Sequence, residues 1–247
     1  MILKTLIFLI ALSSIKAAPS DINTKWIYDV LNKFNPEITE LKVSIETLAN
    51  KTTDNVVMLS SGMLRIILVR NESDTLIASL KSVVKTTIDE ATQEKIEIES
   101  CVDDELKSQE NLEINLNEKT EQIEAKYNLY FEEFLGESIK IKNLLPDLNR
   151  KIDESLRNCA LHHFLPWHED ELINCINRDI EQSKSEISEI NSNIISIITK
   201  AEELFGEMEI DVVEMTKNVL LEMFGIIETL KVCIVMIKPE TTTFVEN

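Results

Sequence analysis

The chain has 247 residues, with 44 acidic against 25 basic side chains and a formal net charge of −19. That balance argues against nucleic acid or an anionic membrane surface as partner, since both need a positive footprint. Four glycines and five prolines are too little punctuation for a many-stranded β protein. The long breaker-free runs of Asn, Glu, Lys, Ile and Leu read as nearly all helix.

The first residues, "MILKTLIFLIALSSIKAAPS", have the pattern of a secretory signal peptide. Lys4 supplies the positive n-region and Leu6 to Leu12 the short apolar core, and cleavage is expected after Ala17. The apolar run is too short to span a bilayer, which needs about 20 residues. The expected localisation is secreted and extracellular, with no transmembrane segment in the mature chain. In that compartment four cysteines read as two disulfides. The sequons "NKT" at Asn50 and "NES" at Asn71 become usable acceptors for N-glycosylation.

Apolar residues recur in steps of three and four along three segments. One seam passes through Ile38, Leu41, Ile45, Leu48, Leu59 and Met63. A second runs from Tyr127 and Phe131 through Leu145 and Leu148 to Leu156, and a third from Ile173 through Ile187 and Ile194 to Met208. Such heptad stripes are packed core far more often than ligand sites.

Cysteine spacing suggests how the helices are arranged. Cys101 to Cys159 and Cys175 to Cys233 are both 58 residues apart. "ESLRNC" and "ETLKVC" end at Cys159 and Cys233, and "KYNLYFEEF" aligns with "KAEELFGEM" at the same offset of 74 residues. The reading is a tandem repeat: residues 101–174 with Cys101 and Cys159, residues 175–239 with Cys175 and Cys233, and a fainter copy in 18–100. A polar tail, 240–247, follows. Gly62, Gly136 and Gly206 sit near the middle of the three copies, where glycine would end one helix and let the chain fold back. The expected fold is therefore all-α: elongated antiparallel helical hairpins packed as a coiled-coil-like bundle. Pro146 is expected to kink or restart its helix.

Two cysteine pairings follow from these positions. The repeat favours Cys101–Cys159 with Cys175–Cys233. The four positions are also symmetric about residue 167, so Cys101–Cys233 with Cys159–Cys175 is the alternative.

The segment "CALHHFLPWHEDELINC", Cys159 to Cys175, holds all three histidines. His162, His163, His168 and Asp170 are candidate zinc ligands if the chain turns at Pro166. The competing reading is a joint: Pro166 stops one helix, Trp167 covers the junction, and "HEDE" places negative charge on the next helix's first turn. The joint is the expectation, with no metal or other cofactor. There is no Gly-rich phosphate loop, no G-x-S-x-G elbow, no H-E-x-x-H and no calcium loop, so no enzyme activity is expected.

The pattern of Cys159, then Phe164-Leu165-Pro166, then Cys175 resembles the tsetse EP-type domain proteins of insects, although the number and order of cysteines depart from that family. The resemblance implies a secreted protein of gut, saliva or a similar fluid, and it carries over no catalytic residues. The expected function is a secreted, non-enzymatic helical protein that binds or coats an unknown extracellular partner. A carrier of lipid or a small apolar ligand is the alternative, and a zinc-binding protein the third.

Overall fold

The structure, a computed structural model, describes residues 25–237. The expected signal peptide, 1–17, and the polar tail, 240–247, lie outside the described residues. Three long helices pack against one another: α1, Lys25–Gln93; α2, Glu99–His162; and α3, Glu169–Ile237. A 3-10 turn, Pro166–His168, joins α2 to α3. No strand occurs among the described residues.

The all-α expectation is correct, but the hairpins are not where the repeat placed them. Residues 18–100 do not form a hairpin, since α1 is one unbroken helix from Lys25 to Gln93. Gly136 and Gly206 likewise lie inside α2 and α3. A helix-interior glycine costs about 1 kcal/mol relative to alanine. That is small beside the ~1.5–3 kcal/mol gained for each large apolar side chain fully buried along the seam, so the helices run through. Pro146 does not restart α2 either; it sits exposed within the continuous helix.

The chain divides into two compact units, Met1–Met58 with Phe134–Lys200 and Leu59–Glu133 with Ala201–Asn247. Every long helix contributes a segment to each. In the first unit Ile27, Val30 and Ile45 of α1 share a core with Leu145 and Ile152 of α2 and with Leu172, Ile176 and Ile194 of α3. One polar pair interrupts the apolar layers: Asn55 Nδ2 donates to Ser138 Oγ at 2.8 Å, with both residues buried. Lys42 binds Asp153 at 2.6 Å and Lys184 binds Glu37 at 3.2 Å along the edges of this unit. The Lys184–Glu37 pair is exposed and contributes little, at most about 1 kcal/mol, whereas Lys42–Asp153 is partly buried.

In the second unit the seam of α1 passes through Leu59, Gly62, Ile66 and Val69, all buried, while Met63 is only half-buried. Gly62 is there to make room. A Cβ on it would lie 2.6 Å from Phe205 Cζ and 2.8 Å from Phe131 Cζ, two rings whose centroids are 4.8 Å apart. The glycine taken as a helix terminator is the hole into which an aromatic pair packs. Deeper in the same unit Ser73 and Thr120 hydroxyls meet at 3.0 Å, and Thr120 also donates to the Met215 sulfur at 3.7 Å. Tyr127, fully buried, donates its hydroxyl to Asp211 Oδ2 at 2.6 Å, and Lys126 reaches the same carboxylate at 3.1 Å. A buried hydroxyl without such a partner would cost about 1–3 kcal/mol.

The α1–α2 turn is built without glycine. Lys95 takes the left-handed conformation, φ 60°. Its N–H donates to Thr92 O at 3.0 Å, and the Ile96 N–H donates to Ala91 O at 3.1 Å. That pair of bonds is a Schellman cap, which satisfies carbonyls the ending helix would leave open. Ile96 and Ile98 then bury against Ala91, with Ile88, Val102, Ile234 and Ile237 packed around them.

Two outcomes are expected. Gly62→Ala raises helix propensity yet overpacks the Phe131–Phe205 contact, so it should lower stability by about 1–3 kcal/mol, measured by urea unfolding. The Tyr127 and Lys126 hydrogen bonds hold the Asp211 carboxyl below its ordinary value. The folded state therefore binds that proton less tightly than the unfolded chain. The resulting stability is present above a pH of about 4 and is lost as pH falls through the depressed folded value. Asp211→Asn should flatten that acid limb in a pH series of thermal melts while leaving the Lys42–Asp153 edge unaffected.

Candidate functional site

The chemistry-bearing residues concentrate at the α2–α3 joint, within the first unit. The His163 N–H donates to Cys159 O at 3.1 Å, which closes the last turn of α2, and Pro166 opens the 3-10 turn with no side-chain cap. The His168 N–H donates to Leu165 O at 2.8 Å, and α3 begins at once with Glu169, Asp170 and Glu171 in its first turn. Three carboxylates at a helix N-terminus oppose the positive end of its dipole, as the joint reading requires. One element of that reading is corrected: Trp167 does not cover the joint. It is 72% exposed and touches His168 only edge-on, at 6.0 Å between ring centroids.

A disulfide joins Cys159 to Cys175, and the second joins Cys101 to Cys233. This overturns the pairing of Cys101 with Cys159 and of Cys175 with Cys233. With the turn at Gly136 absent, Cys101 and Cys159 stand near opposite ends of one helix, α2, and Cys175 and Cys233 near opposite ends of α3. No bond can close within either pair, because a disulfide needs Cα atoms less than about 7 Å apart. The antiparallel partners do meet, at 5.9 Å for Cys101–Cys233 and 5.8 Å for Cys159–Cys175. Two such bonds suit an oxidising, extracellular setting.

The zinc candidates are only partly brought together. His163 and His168 meet edge-on with centroids 6.1 Å apart, and the His168 Nδ1 is shielded from solvent without a hydrogen-bond partner. His162 and Asp170 are exposed. The potential ligand atoms that converge within 4.8 Å among the described residues are instead those of Cys159, Cys175 and Asp179. Both of those sulfurs are consumed in the disulfide, which leaves one carboxylate oxygen with a full ligand's donor strength.

Asp179 is the residue that sequence reasoning passed over. It lies one helical turn after Cys175, so both face α2. It accepts hydrogen bonds from Ser155 and, at 3.2 Å, is within reach of Cys159 Sγ; Arg178 Nε lies 3.3 Å from its other oxygen. The C-x-x-x-D spacing was the available signal. Beside these groups opens a cleft of about 610 Å³, lined among others by Lys151, Glu154, His162, His163 and Arg178. Its walls are charged and polar, so it suits water and ions better than an apolar ligand.

The glycosylation candidates are both on α1. Asn50 and Asn71 are exposed, but the hydroxyl residue of each sequon is not: Thr52 is 1% and Ser73 2% exposed. These hydroxyls donate back to Leu48 O and Val69 O. α1 also contains an 18-residue window of mean hydropathy 1.2, long and apolar enough to cross a membrane by composition, of which 33% is buried.

Fold and joint together define a disulfide-locked, all-helical protein of three long packed helices. The chain matches no protein-family model and no curated protein sequence.

Peptide mapping under non-reducing conditions should recover Cys101–Cys233 and Cys159–Cys175. In the chain-entropy treatment the bond spanning 132 residues is worth about 5 kcal/mol, and the one spanning 16 residues about 3 kcal/mol. Replacing Cys101 and Cys233 by Ser should therefore lower the unfolding free energy by about 2 kcal/mol more than replacing Cys159 and Cys175.

Proposed function

We propose that this is a secreted, non-enzymatic scaffold that acts by presenting its outer helix faces to a macromolecular partner in an extracellular fluid. The observation that carries the reading is the placement of apolar surface. The cores of both units are built from their own buried side chains, whereas large apolar residues such as Leu64, Ile67, Phe224 and Val235 stand on outward helix faces. Exposed apolar surface of that extent marks interaction sites in soluble proteins. The clefts found beside α2 and α3, at the joint and around Lys119, Gln122 and Asp211, are open and carry charged walls. A lipid or apolar carrier needs an enclosed apolar chamber instead, and two disulfides that pin α2 to α3 restrain the opening by which a helical bundle would make one. The tsetse EP-type resemblance at Cys159, Phe164-Leu165-Pro166 and Cys175 is consistent with the same role.

In this reading α1 is a core helix and not an anchor: Leu59, Ile66 and Val69 form its buried side, while Leu64 and Ile67 stand on its exposed side. Glycan addition at Asn50 and Asn71 has to precede folding, since Thr52 and Ser73 become locked in the core.

Expression of the full chain in a eukaryotic secretory host tests the proposal. The protein should appear in the medium with Ala18 as its first residue. It should shift in two steps on endoglycosidase treatment, one step being lost in each of Asn50→Gln and Asn71→Gln. Native mass spectrometry of the secreted chain should show no stoichiometric small ligand; a co-purifying lipid at one per chain would replace the scaffold reading with the carrier. Retention of the full chain in cells would remove the extracellular part of the proposal.

A further inference from the structure

α3 is apolar on two sides. Its core side, which includes Met208, Val212, Met215, Val219 and Leu230, is buried in the second unit. At 100° per residue the opposite side carries Ile210, Val213, Leu221, Phe224, Val232 and Val235. These six are between 48% and 70% exposed. A helix that packs on one side only places polar residues there.

Four charges punctuate this outward stripe: Glu214, Lys217, Glu228 and Lys231. None makes an ion pair with another described residue. Their order is E, K, E, K, so reading the stripe backwards exchanges the signs. We propose that this face is a self-recognition surface, on which α3 of a second copy of the chain docks antiparallel about a two-fold axis between Glu222 and Met223.

That axis decides what meets what. Lys217 falls opposite Glu228 of the second copy, and Glu214 shares a layer with Lys231. Leu221 falls opposite Phe224, Val213 opposite Val232, and Ile210 opposite Val235. Two-fold symmetry makes each pairing twice, as an isologous interface requires. Lys217 and Glu228, both on the centre line of the stripe, meet their opposite charges directly, and the apolar residues share layers on either side of them.

The alternatives fail on the same residues. A parallel pairing sets Lys217 on Lys217 and Glu214 on Glu214. Sliding the antiparallel pair by one heptad in one direction drops Glu228 onto Phe224 and Lys231 onto Leu221. In the other direction it drops Glu214 onto Phe224 and Lys217 onto Leu221. Charges left against apolar groups or like charges weigh against these registers.

The pairing goes beyond the scaffold role and can stand or fall separately from it. The test is sedimentation equilibrium of the full, disulfide-intact chain. The wild type should show a reversible monomer–dimer equilibrium. Lys217→Glu and Glu228→Lys should each weaken it roughly tenfold or more, because each replaces two attractive contacts by two repulsive ones. Far-UV circular dichroism should be unchanged, since both side chains are exposed. Mixing the two variants should restore a heterodimer, and the double variant should pair as the wild type does. A wild type that stays monomeric overturns the proposal, as does dimerisation indifferent to either charge reversal or failure of the mixture to associate. Binding of a monomeric chain to uncharged phosphatidylcholine vesicles through this stripe would also overturn it, and would assign the face to lipid.

Discussion

Each long helix has an apolar seam that must leave water along its length, and the described residues contain two reversals in which to arrange this. Everything else in the structure follows from that constraint. Ile27, Ile45, Leu59, Ile66 and Leu80 mark the buried seam of α1 from its first turns to beyond its middle, with Leu116, Tyr127, Leu145 and Ile152 doing the same for α2. A hairpin turn at a central glycine would break such a seam and expose backbone groups at two new helix ends. The reversals fall instead at Lys95 and Pro166, where the seams lapse. Lys95 accepts a left-handed conformation at its own cost because the Schellman bonds and the burial of Ile96 hold it there.

Within each unit a few residues that are neither large nor apolar fix which layer meets which. Asn55 must find Ser138, Ser73 must find Thr120, and Gly62 must receive Phe131 and Phe205. An apolar seam of similar Leu and Ile residues can slide by a heptad with modest loss. A buried amide or a hole shaped for a ring cannot, because the slip leaves a polar group unsatisfied or a ring without space. Tyr127 and Asp211 act in the same way at the edge of the core, and their hydrogen bond also ties stability to pH.

The joint shows how the same residues serve chemistry or architecture according to their oxidation state and surroundings. Cys159, Cys175 and Asp179 have the spacing of a metal site, but the sulfurs are bonded to each other and Asp179 is engaged by Ser155 and Arg178. On the outside of α3, apolar groups alternate with charges that make no ion pair among the described residues.

Much of this protein was legible in its residues. Helical content, the seams through Ile45, Phe131 and Ile194, the joint at Pro166 and the candidacy of the four cysteines for disulfides follow from periodicity and composition, which are local properties of the chain. Where the chain reverses did not follow, nor which cysteine meets which. A glycine inside a seam reads alike whether it ends a helix or opens a hole, and cysteines symmetric about residue 167 fit both pairings. Those choices depend on residues far apart in sequence, such as Gly62 with Phe131 and Phe205, or Cys101 with Cys233. The sequence by itself determined that long amphipathic helices would form and along which stripes their seams would run. Only tertiary packing decided that residues 25–237 form three of them and how their ends are tied, because that choice is made by the burial energy of whole seams and not by any residue within one.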